Sequence, residues 1–272
     1  MRADLHVHST ASDGTSTPEE LVSLALERGL DVIAITDHDS VEGIPAAFAA
    51  ARGTTLTIIP AVELSAVSEG VDVHILAYFV DPSDPALLAE LVALRAARAR
   101  RAVAIVGSLS EAGYRLTLDD VNLLAGNGAI GRAHIARALV ASGDAETVSD
   151  AFERLIGRNS PFYVPKRSKS PSEVVVRLLD LGTVPILAHP GVTAVDHLIP
   201  GLVEAGLLGI EAYHADHTPE QRRRYAELAA SLGILATGGT DFHGSASRNP
   251  ELGAVVVPTE AVEALFAAGR HV

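Results

Sequence analysis

The chain has 272 residues and a formal net charge of −13; 48% of its residues are hydrophobic, while only 4% are aromatic. A chain of this size can bury one large core, which must here consist mainly of aliphatic side chains. The acidic charge argues against sequence-independent binding of duplex DNA, and the absence of cysteine excludes disulfides, thiolate metal sites and a cysteine nucleophile.

The N-terminus begins directly with a predicted strand, without a basic leader followed by an apolar segment. No apolar run reaches the roughly 18 residues that a membrane span requires. We therefore expect a soluble, cytoplasmic protein with no membrane partner. Without thiolates, any metal would be bound by His, Asp and Glu, a ligand set that suits Zn, Mn or Fe.

The first part of the chain alternates predicted strands and helices. The opening strand, in "ADLHVHSTASDG", places His6 and His8 on one face and is followed by Asp13 in a Gly-containing turn. "TPEELVSLALERG" has the cap and first-turn residues of a helix start. Further strands are predicted over 31–36, 55–64 and 71–80, with a short helix around 42–51.

From about residue 85 the apolar spacing becomes helical, and it remains so to residue 165. The sequence therefore predicts an all-helical insertion over 85–165 in a domain formed by 1–84 and 166–272. The Ala- and Arg-rich stretch 95–104 is interpreted as a solvated helix face.

Strand–helix alternation then resumes, and "GAVVV" is a candidate final strand. The six or seven units in roughly 190 residues favour an α/β fold with a mainly parallel sheet. Because an eight-unit barrel takes about 250 residues, an incomplete or distorted barrel fits better than a full one. An open doubly wound sheet is the competing architecture.

Polar side chains recur in or just after these predicted strands. In a parallel barrel or open sheet the carboxyl ends of the strands meet at one rim, so these residues should converge. Each alone has an ordinary explanation as a turn, a cap or a surface residue. Buried together without a metal, they would lack partners and carry desolvation costs. The set comprises His6, His8, Asp13, Asp37, His38, Glu63 at the end of the third strand, His74, His189, Asp241 and His243.

Six segments, in this order, resemble the PHP (polymerase and histidinol phosphatase) family of metal-dependent phosphoesterases: "HVHSTASDG", "AITDHDS", "VEL", "VHILAY", "AHPG" and "GGTDFHG". "GRAHIARALV" and "EAYHADHTPEQ" are similar to the bacterial branch that has a helical insertion and acts on nucleoside monophosphates, nucleoside 3′,5′-bisphosphates and short RNA ends. The resemblance implies a distorted (β/α)7 TIM-like barrel.

The resemblance also implies three divalent metal ions (Mn, Fe or Zn). One would be bound by His6, His8, Glu63 and Asp241, the second by Glu63, His74 and His189, and the third by Asp13, His38 and His243. A hydroxide held by Glu63, His74 and His189 would attack the phosphate. Some family members have His where this chain has Asp13, which makes the third site richer in oxygen.

Several residues outside this set are candidates for supporting roles. Asp37 is predicted to orient a ligand imidazole, with helix capping as the alternative. Predicted substrate contacts are Arg132, His134, His214, His217 and Lys166, with Arg167 as a weaker candidate, because cationic side chains suit a phosphate.

We expect an enzyme that hydrolyses phosphate from a 5′-nucleotide or a nucleoside 3′,5′-bisphosphate and also trims short RNA 5′ ends. Histidinol phosphate is the alternative substrate. A non-catalytic metal-binding PHP module and an amidohydrolase acting on a C–N bond are alternatives of other classes. The latter usually requires a carboxylated lysine, and neither lysine, Lys166 or Lys169, is placed to serve.

Overall fold

The computed structural model describes residues 1–166, 168–244 and 251–270. Seven strands in these ranges form one sheet, in which neighbours along the chain are also neighbours in space. The strands are β1 (Ala3–Val7), β2 (Val32–Ile35), β3 (Thr57–Ser68), β4 (Val71–Tyr78), β5 (Val184–Leu187), β6 (Gly209–His214) and β7 (Leu235–Gly239).

The helices of the described residues pack around this sheet or form the segment between β4 and β5. They are α1 (Pro18–Glu27), α2 (Ile44–Ala51), α3 (Pro85–Glu111), α4 (Leu118–Ala125), α5 (Arg132–Ala141), α6 (Val148–Ala151), α7 (Pro171–Asp180), α8 (Pro190–Thr193), α9 (Ile199–Glu204), α10 (Pro219–Leu232) and α11 (Thr259–Ala268). A π-helical turn, Phe152–Ile156, follows α6, and a 3₁₀ turn, Asp196–Leu198, precedes α9.

The sheet curls into a nearly closed barrel, because the chain beyond β7 returns to β1. Val7 forms a parallel bridge with Phe242, and the backbone N–H of His8 donates to the carbonyl oxygen of Phe242 at 2.9 Å. The predicted distorted barrel is therefore confirmed, and an open doubly wound sheet does not describe this chain.

One strand runs against the expected direction. β4 is antiparallel to both β3 and β5, whereas the other pairs are parallel. The cause is the two-residue connection Glu69–Gly70, in which both residues have positive φ, so β3 and β4 form a hairpin and not two strand–helix units. This hairpin is the distortion of the barrel.

Two strand predictions need correction. Glu63 lies in the middle of β3, because the pairing with β2 ends at Pro60 while the pairing with β4 continues to Ser68. "GAVVV" (253–257) forms no strand, although Val255 and Val257 are buried against the barrel core.

The segment between β4 and residue 166 contains helices only, and these helices enclose a hydrophobic core of their own. α3 belongs to both cores. Leu87 and Leu91 near its start pack into the barrel core, whereas Ile105 and Leu109 pack into the core of the helical segment. The domain boundaries at 84/85 and 165/166 stay a prediction.

Helix starts follow the expected chemistry. Thr17, Ser170 and Thr218 cap α1, α7 and α10 with capping boxes, each followed by proline at the first helical position. None of the helices in the described part of the chain combines the length and the apolar content needed to cross a membrane.

The closest approach between β7 and β1 depends on a glycine. A Cβ atom at Gly239 would lie 2.5 Å from the Cβ and the backbone N of His6, so any side chain there would push β1 outward.

We expect Gly239→Ala to lower the free energy of unfolding by about 1–3 kcal/mol, since the crowded backbone must shift. The matched control is Gly107→Ala on the exposed surface near the C-terminal end of α3, where a Cβ would meet nothing within 4 Å. That control should stabilise the protein by about 0.5–1 kcal/mol. Denaturant titration measures both, and equal effects would contradict the close-packing argument.

Candidate metal centre

All nine predicted metal ligands converge at one rim of the barrel. They form overlapping groups in which the nearest side-chain nitrogen and oxygen atoms lie within a few ångströms of one another. Residues from β1, β3 and β4, from the first loop, and from the loops after β2, β5 and β7 take part. The nine are His6, His8, Asp13, His38, Glu63, His74, His189, Asp241 and His243.

Glu63 lies at the centre of this arrangement and is fully buried. Its Oε2 atom is 2.8 Å from His38 Nδ1, and its Oε1 atom is 2.9 Å from His74 Nδ1 and 3.1 Å from His189 Nε2. Oε2 is also 3.5 Å from His6 Nε2 and 3.3 Å from His8 Nε2. A single carboxylate therefore touches donors of several possible ions, as a bridging ligand does.

Two further carboxylates flank this centre. Asp241 Oδ1 is 3.3 Å from His6 Nε2 and 3.1 Å from His8 Nε2. On the other side, Asp13 Oδ1 is 3.3 Å from His243 Nε2, whose ring stacks on that of His8 with centroids 4.0 Å apart.

The electrostatics favour ionised carboxylates. Burial alone would raise the pKa values of Asp13, Glu63 and Asp241, but the surrounding imidazoles hold all three pKa values well below their usual range. Burial lowers the pKa of His38 to about 3, so its imidazole is neutral and able to coordinate a metal.

The donor atoms fit divalent cations better than they fit one another. His38 Nδ1, His74 Nδ1 and Glu63 Oε2 are buried, and none makes a hydrogen bond of acceptable geometry despite these short distances. His6 Nε2 and His8 Nε2 are only 3.1 Å apart, so two basic nitrogens face each other. Buried polar atoms without partners are costly, and a set of imidazoles and carboxylates supplies what Zn, Mn or Fe prefers.

Asp37 supports the site indirectly. Its carboxylate accepts hydrogen bonds from the backbone N–H of Ser9 at 2.7 Å and from the hydroxyls of Ser9 and Ser12 at 2.6 Å, and Ser12 Oγ is 3.4 Å from His8 Nδ1. The link to the imidazole thus passes through Ser12. The alternative of helix capping does not hold, since the N-cap residue of α2 is Gly43 and no side chain caps this helix.

A cleft of about 230 Å³ opens beside the metal centre, between the barrel rim and the helical segment. His38, His74, His243 and Asp13 form its floor on the barrel side. Four cationic side chains enter it from the other side, and the sequence analysis predicted only two of them. They are Arg98, Arg101, Arg132 and Lys166.

Arg98 and Arg101 correct the interpretation of residues 95–104 as a solvated helix face. α3 crosses the mouth of the barrel, so these guanidinium groups are only 11% and 9% exposed. The helical spacing 98, 101, 102, 105 was the available signal, because it places both arginines on the face that carries buried Ala102 and Ile105.

Two carboxylates of the barrel, the buried Asp39 and the partly buried Asp72, hold these cations in place. Asp39 pairs with Arg98 and, at 3.2 Å, with Lys166 Nζ. Asp72 Oδ2 accepts hydrogen bonds from Arg101 and Arg132 at 2.9 Å each. Asp72 thus joins the barrel to two cations of the helical segment, and Asp39 joins it to one such cation and to Lys166, which follows that segment. Four positive charges against two negative ones leave the cleft wall cationic.

His134 and His217 do not line the cleft. His134 is buried and its Nδ1 accepts the backbone N–H of Gly131; burial lowers the His134 pKa to about 4. His217 Nδ1 donates to the carbonyl oxygen of Ala212 and its Nε2 accepts the N–H of Gly191, both at 3.1 Å. The cleft lining therefore gives no support to substrate contact by His134 or His217, and these two contacts stay predictions.

His214 also lies outside the cleft, fully buried behind the metal ligands. Its Nδ1 accepts the backbone N–H of Asp216 at 3.1 Å, so the proton of the neutral ring is on Nε2, 3.8 Å from Asp241 Oδ2. His214 Nε2 makes no hydrogen bond to any described residue, and the cleft lining gives no support to the predicted contact of His214 with substrate, which stays a prediction. Arg167 lies outside the described residues.

Metal binding should stabilise the folded protein through Glu63. We expect excess Mn²⁺ to raise the melting temperature of the wild-type protein, since a ligand at 100 times its Kd adds about 2.7 kcal/mol. Glu63→Gln should lose most of this rise, because an amide removes the bridging charge. Glu204→Gln, on the exposed surface of α9, should retain it; a full Mn²⁺-dependent rise in Glu63→Gln would contradict the central role of Glu63.

The comparisons with known proteins agree with this geometry. Residues 4–157 match the family model described as "PHP domain". The chain is 33% identical to a phosphoribosyl 1,2-cyclic phosphate 1,2-diphosphodiesterase of Eggerthella lenta, an alignment that covers 93% of this chain and 98% of the relative. It is 35% identical to a 5′-3′ exoribonuclease of Haemophilus influenzae, with coverages of 88% and 89%.

A third relative, a 3′,5′-nucleoside bisphosphate phosphatase of Chromobacterium violaceum, is 33% identical, with 92% of this chain and 90% of the relative covered. Among solved structures, one described as a metal-dependent phosphoesterase from Bifidobacterium adolescentis superposes with a TM-score of 0.91 at 37% identity and covers 98% of this chain and 96% of that one. The chain therefore belongs to the PHP family and is a metal-dependent phosphoesterase.

Proposed function

We propose that the protein removes a phosphate from nucleoside 3′,5′-bisphosphates, with 5′-nucleotides and short RNA 5′ ends as related substrates. The observation that carries the proposal is the position of the four cations Arg98, Arg101, Arg132 and Lys166 in the same cleft as the metal centre. One phosphate of the substrate would be cleaved at the metal centre while a second binds these cations.

We further propose three divalent ions of Mn, Fe or Zn, held by the nine ligands in the sets that the sequence analysis assigned. Bound ions of this type lower the pKa of water and neutralise charge on the phosphoryl oxygens. The side chains of the protein contribute positioning: Glu63, Asp13 and Asp241 fix the cations at the floor of the cleft. The product phosphate leaves through the open side of the same cleft.

The second phosphate would be oriented by the arginine forks. Arg101 Nη2 is buried and has no hydrogen-bond partner, and neither has Asp72 Oδ1 beside it. A guanidinium held on one side by Asp72 and free on the other is prepared to accept an anion without further ordering. Ala102, Ile105 and Phe152 provide an apolar wall for a nucleoside.

The charge of the cleft weighs against the alternative substrate, histidinol phosphate. That molecule has one phosphate and an ammonium group, which four cations would repel. Relatives named for a nucleoside bisphosphate and for RNA support substrates with more than one phosphate.

The other classes find less support. A non-catalytic module would not need the complete convergent donor set or the adjacent cations. An amidohydrolase with a carboxylated lysine has no residue for that role in the described chain, since Lys166 pairs with Asp39 and Lys169 pairs with Glu90 on the outside.

The proposal is tested with a substrate panel in the presence of Mn²⁺. We expect kcat/KM for adenosine 3′,5′-bisphosphate to exceed that for AMP tenfold or more, since a charge-assisted hydrogen bond contributes about 1.5–3 kcal/mol. Asp241→Asn should be inactive on all substrates. Arg101→Ala should lose the preference for the bisphosphate while it retains activity on AMP.

Faster hydrolysis of histidinol phosphate than of any nucleotide would overturn the substrate assignment. An Arg101→Ala variant that keeps the full preference for the bisphosphate would show that the cations do not bind the second phosphate.

Lys166 gives this preference a pH dependence. Burial and the neighbouring Arg98 lower the Lys166 pKa to about 8, against the opposing effect of Asp39. Above that pH the amine loses its charge, so the ratio of kcat/KM for the bisphosphate to that for AMP should fall between pH 8 and 10. Lys166→Arg should abolish the fall because arginine stays charged, whereas Lys169→Arg should leave it unchanged; a ratio independent of pH in the wild type would argue against this role.

A further inference from the structure

We propose that Glu211 is a positioning residue of the metal centre, which fixes the proton on His6 Nδ1 and the backbone of His189. This inference concerns metal binding and does not depend on which phosphate ester is the substrate. Glu211 was not among the residues that the sequence analysis selected.

Glu211 lies in the middle of β6 and is fully buried. Its neighbours Ile210 and Ala212 pack into the core beneath the outer helices, so the alternation of the strand directs Glu211 into the barrel. A carboxylate in this position is costly unless it is fully hydrogen-bonded.

Both oxygens of Glu211 face the same imidazole nitrogen. Oε1 is 3.1 Å and Oε2 is 3.2 Å from His6 Nδ1. Oε2 also accepts the backbone N–H of His189 at 2.9 Å, so the carboxylate acts here as a hydrogen-bond acceptor. His6 Nδ1 must therefore carry a proton and donate it.

The consequence appears at the other nitrogen of the ring. With Nδ1 protonated, a neutral His6 has its lone pair on Nε2, the atom that faces Glu63, Asp241 and His8. A carboxylate that accepts from the outer nitrogen of a ligand histidine fixes its tautomer and makes it a stronger ligand.

Glu211 also supports a second ligand. Its Oε2 accepts the backbone N–H of His189 at 2.9 Å. His189 has a φ of +29°, a conformation that costs energy and needs support from its surroundings. One carboxylate thus orients the side chain of His6 and secures the strained turn that presents His189.

Glu211 itself is not placed as a ligand. Glu211, His6 and His214 lie close enough to suggest a metal site, but the carboxylate already accepts hydrogen bonds from His6 Nδ1 and from the backbone N–H of His189. His214 offers no metal ligand in this arrangement. Its Nδ1 accepts the backbone N–H of Asp216, so the proton of the neutral ring is on Nε2, which has no lone pair for a metal.

The test is Glu211→Gln, which has the same shape but only one acceptor oxygen. Its NH₂ group would face either the His6 Nδ1–H or the His189 N–H, so that two hydrogen-bond donors oppose each other. The clash at His6 is relieved when the ring proton moves from Nδ1 to Nε2, and Nε2 then has no lone pair to bind a metal. We expect the apparent Kd for Mn²⁺, measured by chelator competition without substrate, to rise 10–100-fold. Excess Mn²⁺ should restore much of the phosphatase activity.

The matched control is Asp196→Asn, another carboxylate-to-amide change, which removes an acceptor for the Tyr225 hydroxyl (2.7 Å) far from the ligands. It should lower the melting temperature and leave the Mn²⁺ affinity unchanged. An unchanged Mn²⁺ affinity in Glu211→Gln would overturn the proposal, and so would an equal loss of affinity in Asp196→Asn, since the effect would then be general destabilisation.

A measurement on the unsubstituted protein covers the case in which Glu211→Gln does not fold. In the ¹⁵N spectrum of the Zn²⁺-loaded protein, the His6 ring, assigned by its absence in His6→Gln, should show a protonated Nδ1 and an unprotonated Nε2. The opposite pattern would refute the role of Glu211. Both measurements are independent of the substrate, so failure of the nucleotide assignment would leave this result intact.

Discussion

The Glu63 carboxylate, enclosed by five imidazoles and excluded from water, is the interaction on which the rest of the structure depends. Those imidazoles come from β1, from the loops after β1, β2 and β5, and from β4. Cations would stabilise an arrangement of this kind, because several of its donors otherwise lack partners. The barrel therefore brings distant segments of the chain to one point. It departs from a regular barrel at places where a regular strand or turn would leave a ligand too far from Glu63.

The β3–β4 hairpin is one such irregularity. A parallel β4 would begin at the opposite rim, and His74, early in the strand, would lie far from Glu63. The reversal places His74 opposite Ser65, two residues from Glu63 in β3. His189 and Asp241 are local irregularities of the same kind, since each ligand residue adopts a positive φ that is uncommon for a non-glycine residue.

Much of this could be predicted from the sequence, because the signals were local. The strands and capped helices follow from short-range patterns, and the nine ligands occur in segments whose order is specific to one family. The direction of β4 was missed because the third strand was predicted to end at residue 64, whereas β3 continues to Ser68 and leaves only a two-residue turn before β4. The strand pattern itself is the same in either direction. Arg98, Arg101 and Glu211 were missed because their roles depend on what packs against them: α3 had to be placed over the rim, and β6 beside His6, before these charges had partners.

The substrate side of the cleft is also a product of long-range packing. Asp39 and Asp72 belong to the barrel, whereas three of the four cations they hold belong to α3 and α5 and the fourth, Lys166, follows the helical segment. The ionic contacts across this boundary bind the helices to the barrel and at the same time set the spacing of the positive charges. The position of the phosphate-binding cations and the attachment of the helical segment to the barrel thus depend on the same two carboxylates.

α3 has a mechanical consequence. Its first turns are embedded in the barrel core and its last turns in the core of the helical segment, with no break between Pro85 and Glu111. Because this continuous helix is anchored in both cores, the helical segment that covers the cleft has no flexible hinge at α3 about which it could move relative to the barrel. Substrate would therefore enter and leave through the open side of the cleft. Replacement of the helical segment in the course of evolution would also change side chains of α3 that pack in the barrel core.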